Sequence, residues 1–94
     1  MKIVVLKFGG SSVGTIEKIK KIADIIHSFK KKNYKIIVVS SAMSGVTNDL
    51  VQKSKMISKN FSEAEYDVLV SSGEQVACSL IAGRLIHKGL KSRS

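Results

Sequence analysis

Two short runs of apolar, mostly β-branched residues constrain the fold of this chain more than any other feature. They extend from Ile3 to Leu6 and from Ile36 to Val39, and such short, continuously apolar segments are typical of strands buried on both faces. We therefore predict strands at residues 2–7 and 35–40. Residues 15–31, between them, carry apolar side chains at helical spacing. A strand, a helix of this length and a second buried strand predict a parallel, right-handed β-α-β unit.

The remainder of the chain is predicted to be helical. Residues 47–59 form one predicted helix, and residues 62–88 form another that ends at Gly89. We expect the last helix to be interrupted around Ser71-Ser72-Gly73, so that Glu74 begins its second half. The predicted order is thus β-α-β-α-α.

Local signals also mark where the helices begin and end. Thr15 is a predicted N-cap of the first helix, and Asn33 is its predicted stop. Ser62 is the predicted cap of the last helix, because a glutamate follows it three residues later.

Two buried parallel strands are too small a sheet to be stable without further strands or extensive helix cover. The sequence therefore predicts either a fragment of a larger α/β domain or a chain whose sheet is completed by a second chain. We favour the fragment.

The charge of the chain indicates a solvated surface rather than a nucleic-acid interface. Its 94 residues include 16 Lys+Arg against 7 Asp+Glu, which gives a formal net charge of +9. Only Arg84 and Arg93 are arginines, although arginine dominates where phosphates and guanines are bound bidentately. The five aromatic residues are scattered, so they offer no stacking platform. We predict no specific nucleic-acid partner.

Several other classes are excluded by composition. No apolar run approaches the roughly 20 residues that cross a bilayer, and no signal-peptide pattern is present at the start. A single cysteine rules out an internal disulfide and, with two isolated histidines, a structural zinc cluster. We predict a cytoplasmic chain with no membrane partner and no metal ligands of its own.

Three segments carry residues suited to chemistry, and the first follows the first strand. It reads Lys7-Phe8-Gly9-Gly10-Ser11-Ser12-Val13-Gly14. Glycines after a strand allow a ligand to approach the backbone closely, and the following helix offers unpaired N–H groups to an anion. Lys7 adds a positive charge beside them. The segment predicts phosphate binding, with an ordinary Gly-Gly turn as the alternative, and it matches neither the P-loop nor the dinucleotide-binding pattern.

The second segment follows the second strand. It extends over residues 40–48 and is rich in small hydroxyl side chains, at the carboxyl edge where open α/β sheets bind their ligands. These hydroxyl groups suit a polar substrate. Helix capping by Thr47 with a turn at Ser44-Gly45 is an equally good interpretation of the segment alone.

The third segment is Ser71-Ser72-Gly73-Glu74-Gln75. The carboxylate of Glu74 could bind a substrate ammonium group. Taken alone, however, the segment more readily indicates a glutamate placed favourably near a helix start.

Together, the three segments resemble a known family. The opening K-F-G-G-S-S-V resembles the first signature of aspartokinases, with Ser11 in place of the commoner threonine. V-V-S-S-A-M-S-G-V-T-N resembles the second signature and S-S-G-E-Q-V the third, in the same order and at similar spacing. The chain is identified as similar to the N-terminal part of an aspartokinase, within the amino-acid kinase superfamily.

This resemblance implies a fold and an activity. The expected fold is a partial three-layer α/β parallel sheet, carbamate kinase-like, in which residues 1–94 form the N-terminal portion of one domain without a complete second domain. The implied reaction is ATP-dependent phosphorylation of L-aspartate to 4-phospho-L-aspartate, with Mg²⁺ accompanying ATP. It is the first step toward lysine, threonine and methionine.

The resemblance also implies roles for particular residues. Lys7 would be the catalytic residue, contacting the transferred phosphate. The phosphates would be cradled by Gly9, Gly10, Ser11 and Ser12. The aspartate would be bound by Ser41, Thr47 and Glu74.

Alternatives to this function remain open. Whole aspartokinases are much longer, so we expect the isolated chain to be inactive. Another amino-acid kinase, acting on glutamate, N-acetylglutamate or a nucleotide, would keep Lys7 and the glycines but make Thr47 and Glu74 incidental. A non-catalytic remnant or partner subunit that docks onto another chain is the further alternative.

Overall fold

A computed structural model describes residues 1–94 and confirms the predicted element order. The elements are β1 (Lys2–Phe8), α1 (Ile16–Lys31), β2 (Tyr34–Ser40), α2 (Val46–Ile57) and α3 (Glu63–His87). The two strands are parallel neighbours, in a register that runs from Lys2 opposite Tyr34 to Phe8 opposite Ser40. The β-α-β unit inferred from the apolar runs is therefore confirmed.

Both ends of α1 form as the sequence predicts. The hydroxyl of Thr15 accepts a hydrogen bond from the N–H of Lys18 at 3.2 Å, which satisfies a donor in the first turn. Asn33 has a φ of 63°, in the left-handed region that asparagine tolerates better than most residues. The chain therefore leaves the helix at once and enters β2.

The prediction for the last helix is wrong in two respects. α3 runs without interruption through Ser71-Ser72-Gly73 and buries Gly73, because tertiary packing overrides a local turn signal. The two serine hydroxyls donate to carbonyl groups of the preceding helical turn, at 3.1 Å and 2.6 Å. Ser62 precedes α3 but makes no side-chain capping bond. The predicted stop at Gly89 is consistent with its φ of 90°.

The hydrophobic core lies on one face of the two-stranded sheet. It consists of seven buried residues from the first loop, α1 and α3: Val13, Ile19, Ile22, Ala23, Ile26, Ile81 and Leu85. Four inward-facing strand residues pack against it: Leu6, Phe8, Ile36 and Val38. Helices α1 and α3 therefore cover the same face.

The opposite face of the sheet has no cover. We call it the open face, and its apolar residues are Ile3, Val5, Ile37 and Val39, between 46% and 63% exposed. The strands were predicted to be buried on both faces, and this is wrong for these 94 residues, because the helices that follow each strand all lie away from this face. Of the three layers expected from the resemblance, the chain supplies the sheet and one helical layer.

None of the three helices combines the length and the hydrophobicity that a bilayer crossing would need.

Candidate functional site

The loop after β1 is a tight turn that leaves two backbone donors free. The carbonyl of Gly9 accepts the N–H of Ser12 at 3.0 Å, so the amide of Ser12 is already used within the turn. The N–H groups of Gly10 and Ser11 donate to no protein acceptor. The amine of Lys18 donates to the carbonyl of Ser11 at 2.9 Å and ties the turn to α1. The turn therefore offers free donors for an anion at a place that α1 holds fixed.

The loop after β2 lies directly against this turn. The N–H of Ser41 donates to the carbonyl of Phe8 at 3.1 Å, which joins the two strand ends. A Cβ built on Gly10 would lie 3.6 Å from the carbonyl oxygen of Ala42. The first and second candidate segments are therefore in van der Waals contact.

Helix α2 begins at a turn rather than at a capping side chain. Gly45 precedes the helix with a φ of 81°, and no side chain caps the first turn. The interpretation of Ser44-Gly45 as a turn is confirmed, whereas that of Thr47 as a helix cap is wrong. A Cβ on Gly14 would lie 3.4 Å from that of Ser44, so this turn also touches the first segment.

The third segment meets the second at Gly73. A Cβ built on Gly73 would lie 2.9 Å from Cγ1 of Val46 and 3.2 Å from Cβ of Ala42. These distances are shorter than an added methyl group tolerates unless the neighbouring atoms of Val46 and Ala42 move. The loop residue Ala42 therefore lies next to both Gly10 and Gly73, where the three segments meet.

Three of the four side chains predicted to act on the substrate are exposed, and the fourth, Ser41, is half-buried. Lys7, Thr47 and Glu74 are exposed, and none of them takes part in an ion pair or a side-chain hydrogen bond. Lys7 lies beside Val39 on the open face, whereas α3, which carries Glu74, packs on the covered side. The structure brings the three segments together, and the joint action of these side chains on one substrate stays a prediction.

Two structural features of the candidate site were missed by sequence reasoning. The first is the central position of Ala42, which depends on contacts between residues far apart in the chain. The second is a pair of cations, Lys18 and Lys21, that line a cavity of about 400 Å³ together with Ser11 and Ser12. Their spacing of three residues on one face of the helix after the glycine turn was a usable signal.

An ion pair also joins the two core helices, away from these segments. The amine of Lys88 donates to the carboxylate of Asp24. This hydrogen bond, followed by the charges of Lys88, Arg84 and His27, lowers the pKa of Asp24. The pair connects α1 to the C-terminal end of α3 and supports their packing.

Comparison with known sequences identifies the family of this chain. The profile of the amino acid kinase family matches residues 2–94. The match covers nearly the whole chain, so the chain belongs to the amino acid kinase family.

Several curated relatives of this chain are named as aspartokinases. The chain is 46% identical over 94 residues to the aspartate kinase Ask_LysC of Stutzerimonas stutzeri, and it covers 23% of that protein. It is 50% identical over 97 aligned residues to the aspartokinase of Rickettsia felis and 45% identical over 94 to that of Geobacillus stearothermophilus, covering 24% and 23% of them. All of this chain is aligned in each case. The resemblance inferred from the three motifs is confirmed.

A solved structure shows the same fold. The crystal structure of aspartate kinase from Synechocystis matches 92% of this chain with a TM-score of 0.88 and 40% sequence identity, and 15% of that chain is covered. The chain spans about a quarter of the length of the curated relatives it matches. The predicted α/β fold class is confirmed.

Proposed function

We propose that this chain takes part in the ATP-dependent phosphorylation of L-aspartate to 4-phospho-L-aspartate, the first step toward lysine, threonine and methionine. The observation that carries the proposal is the meeting of three segments at Ala42, beyond the carboxyl ends of both strands. Ligands of open α/β sheets bind at that edge. The similarity to aspartokinases along all of this chain supports aspartate as the acceptor.

The glycine turn would hold the transferred phosphate. The free N–H groups of Gly10 and Ser11, with the hydroxyl of Ser12, are donors suited to phosphate oxygens. Lys7, at the end of β1 and free of any ion pair, would neutralise charge that builds up in the transition state. Gly9 contributes differently, because its carbonyl closes the turn that presents these donors.

The acceptor would need no general base. The side-chain carboxylate of aspartate is ionised at neutral pH, so its oxygen can form the bond to the γ-phosphorus as the bond from that phosphorus to ADP breaks. Ser41 and Thr47 would line the aspartate site, and Glu74 would bind the substrate ammonium group. Catalysis would then consist of positioning and electrostatic stabilisation.

Mg²⁺ would enter with ATP. No three His, Cys, Asp or Glu side chains lie close enough together in this structure to hold a metal ion. Enzymes that use Mg²⁺ with nucleotides bind it through one or two carboxylates and the substrate phosphates. The donor set here therefore fits an ion held mainly by the nucleotide.

We also propose that the chain does not turn over substrate by itself. It spans about a quarter of its curated relatives, and an open face remains on its sheet. Turnover would need the rest of the domain, either continuous with this chain or supplied by a second chain that completes the sheet. A cytoplasmic location, where ATP and aspartate are available, suits this function.

A chimera tests the proposed function. Residues 1–94 would replace the aligned segment of the Geobacillus stearothermophilus aspartokinase, to which they are 45% identical. Hydroxylamine trapping of the acyl phosphate should show phosphorylation of aspartate in preference to glutamate and N-acetylglutamate. Lys7→Ala should lower kcat by about 10²–10³, as loss of a transition-state donor does.

The matched control is Lys35→Ala, because Lys35 is an exposed lysine on the same open face at the other end of the strands. It should leave kcat within about twofold. Preferential phosphorylation of glutamate or a nucleotide would establish the alternative amino-acid kinase. Equal losses for the two lysine variants would remove Lys7 from the mechanism. Robust acyl-phosphate formation by the isolated chain would contradict its proposed inactivity.

A further inference from the structure

Two different kinds of hydrogen bond hold the peptide groups of the glycine turn. The carbonyl of Gly9 accepts the N–H groups of Ser12 and Val13, at 3.0 Å and 3.3 Å. The carbonyl of Ser11 accepts from a side chain instead, the amine of Lys18 at 2.9 Å. No backbone N–H donates to this second carbonyl. The position of the Ser11 carbonyl therefore depends on one lysine amine.

These bonds determine where the two free donors of the turn point. The carbonyl of Gly9 and the N–H of Gly10 belong to one planar peptide group, so the bonds to that carbonyl also fix the N–H. The free N–H of Ser11 belongs to the next peptide group, which lies between the one held at Gly9 and the one that Lys18 holds. Because Gly10 restricts the backbone little, loss of the Lys18 bond would release one side of this peptide group.

Both ends of Lys18 are held in place. Its backbone N–H donates to the hydroxyl of Thr15 at 3.2 Å, in the cap of α1, and its amine donates to the carbonyl of Ser11. Gly14 leaves room for that carbonyl, because a Cβ built there would lie only 3.3 Å from the carbonyl oxygen of Ser11. This distance is shorter than an ordinary van der Waals contact. The start of α1 thus sets the carbonyl by a donor on one side and by a missing side chain on the other.

Lys21 provides a matched comparison for Lys18. Both lysines are exposed on α1, three residues apart, and both line the cavity of about 400 Å³ beside Ser11 and Ser12. Lys21 takes part in no ion pair and no side-chain hydrogen bond. The two side chains carry the same charge near the turn, so their long-range attraction for an anion is similar. They differ in that only Lys18 is bonded to the turn.

We propose that Lys18 is a positioning residue of the phosphate site. Its amine holds the carbonyl of Ser11, and the turn thereby keeps the free N–H groups of Gly10 and Ser11 oriented for phosphate oxygens. Lys18 acts through the turn rather than as a ligand of the phosphate. Donors that are already ordered bind more tightly than donors that must be ordered on binding. This role rests on the proposed function, because it requires that the turn binds phosphate.

The test titrates inorganic triphosphate into the 94-residue chain, with backbone amides followed by NMR. Lys18→Met and Lys21→Met each remove one positive charge from the same cavity. Lys18→Met should weaken binding at least about tenfold, because a charge-assisted hydrogen bond that orders the turn is lost. Lys21→Met should weaken it about twofold or less, because only an exposed charge is lost. Lys18→Arg keeps a charged donor and should bind within about threefold of the parent.

Measurements without ligand separate positioning from a general loss of structure. Urea denaturation should give closely similar midpoints for Lys18→Met and Lys21→Met, because both side chains are exposed. The amide resonances of Gly10 and Ser11 should shift or broaden in Lys18→Met and stay as in the parent in Lys21→Met. Such a change would show that the turn is no longer held in one conformation.

The outcomes distinguish this role from the phosphate site itself. Parent-like binding in Lys18→Met, with weaker binding in Lys7→Ala, would overturn the role of Lys18 and leave the phosphate site in place. Equal losses in Lys18→Met and Lys21→Met would assign the effect to charge and would also overturn it, as would a Lys18→Arg variant that binds no better than Lys18→Met. Absence of triphosphate binding by the parent would contradict the proposed phosphate site, and the role of Lys18 would be overturned with it.

Discussion

The two faces of the sheet differ sharply in how deeply their side chains are buried. On the covered face, Leu6 and Val38 pack against a core in which Ile26 is only 1% exposed. On the open face, alternate residues of the same strands are about half exposed or more. Both sets contain mainly β-branched and other apolar residues, and the open face also carries Lys7 and Lys35. The difference teaches that the helices of this chain cover one face of the sheet, whereas none of these 94 residues covers the other.

The largest expected effect is on the free energy of unfolding, and it is measured by truncating one isoleucine in the core and one on the open face. Ile26→Ala should lower the free energy of unfolding by about 2–5 kcal/mol, because it leaves a cavity in the core. Ile37→Ala on the open face should cost less than about 1 kcal/mol, because much of that side chain is already in water. Urea denaturation followed by circular dichroism measures both values. Equal costs would show that the open face is covered in solution.

A smaller effect on stability is expected when two glycines within α3 are each replaced by alanine. A Cβ on Gly73 would meet Val46 at 2.9 Å, whereas a Cβ on Gly83 would meet nothing within 4 Å. Gly73→Ala should destabilise by about 1–2 kcal/mol, because overpacking outweighs the gain in helix propensity. Gly83→Ala should instead stabilise by about 0.5–1 kcal/mol.

The same denaturation experiment measures both glycine variants. Opposite signs in one helix would locate the tight contact between α2 and α3 at the candidate site. Stabilisation by both substitutions would mean that Gly73 is not pressed against the loop after β2, and the meeting of the three segments would then be in doubt.

The smallest effect is the pH dependence contributed by the Asp24–Lys88 pair. Because the pKa of Asp24 is lowered in the folded state, its contribution to stability is present above the ordinary carboxyl pKa of about 3.9. It is lost as the pH falls through the lower folded value. The melting temperature should therefore fall less steeply in Asp24→Asn than in the parent as the pH is lowered from about 5. We call this part of the melting curve against pH the acid limb.

Asp67→Asn is the control for this prediction, since Asp67 is exposed and belongs to no ion pair. It should leave the acid limb as steep as in the parent. An equal flattening in both variants would assign the effect to net charge rather than to the contact between α1 and α3.

The sequence predicts those features that depend on local or periodic signals. The β-α-β order follows from apolar periodicity, and the cap at Thr15 follows from one hydroxyl and the next helical turn. The interruption of α3 was predicted wrongly, because the local Ser-Ser-Gly signal is overridden by the packing of the buried Gly73 within the folded chain. The sequence predicts that this small sheet needs further cover, but not which face lacks it, since an apolar strand does not indicate which of its faces will be covered.

For the candidate site, sequence reasoning identified the segments but not how they meet. The glycine turn, the serine-rich loop and the Gly73-Glu74 pair were each recognisable by residue type. Their contact through Ala42 depends on three segments spread over more than half of the chain, and no spacing rule predicts it. The hydrogen bond from the amine of Lys18 to the carbonyl of Ser11 likewise depends on the path of the loop in the folded chain.

The central claim is that Lys7 and the glycine turn form a phosphate site on this chain, and triphosphate binding tests it most directly. Inorganic triphosphate would be titrated into the parent, Lys7→Ala and Lys35→Ala while backbone amides are followed by NMR. We expect shifts at Gly10 and Ser11, binding at least about tenfold weaker in Lys7→Ala, and little change in Lys35→Ala. Equal losses in the two variants, or shifts confined to the lysine-rich surface of α1, would contradict the claim.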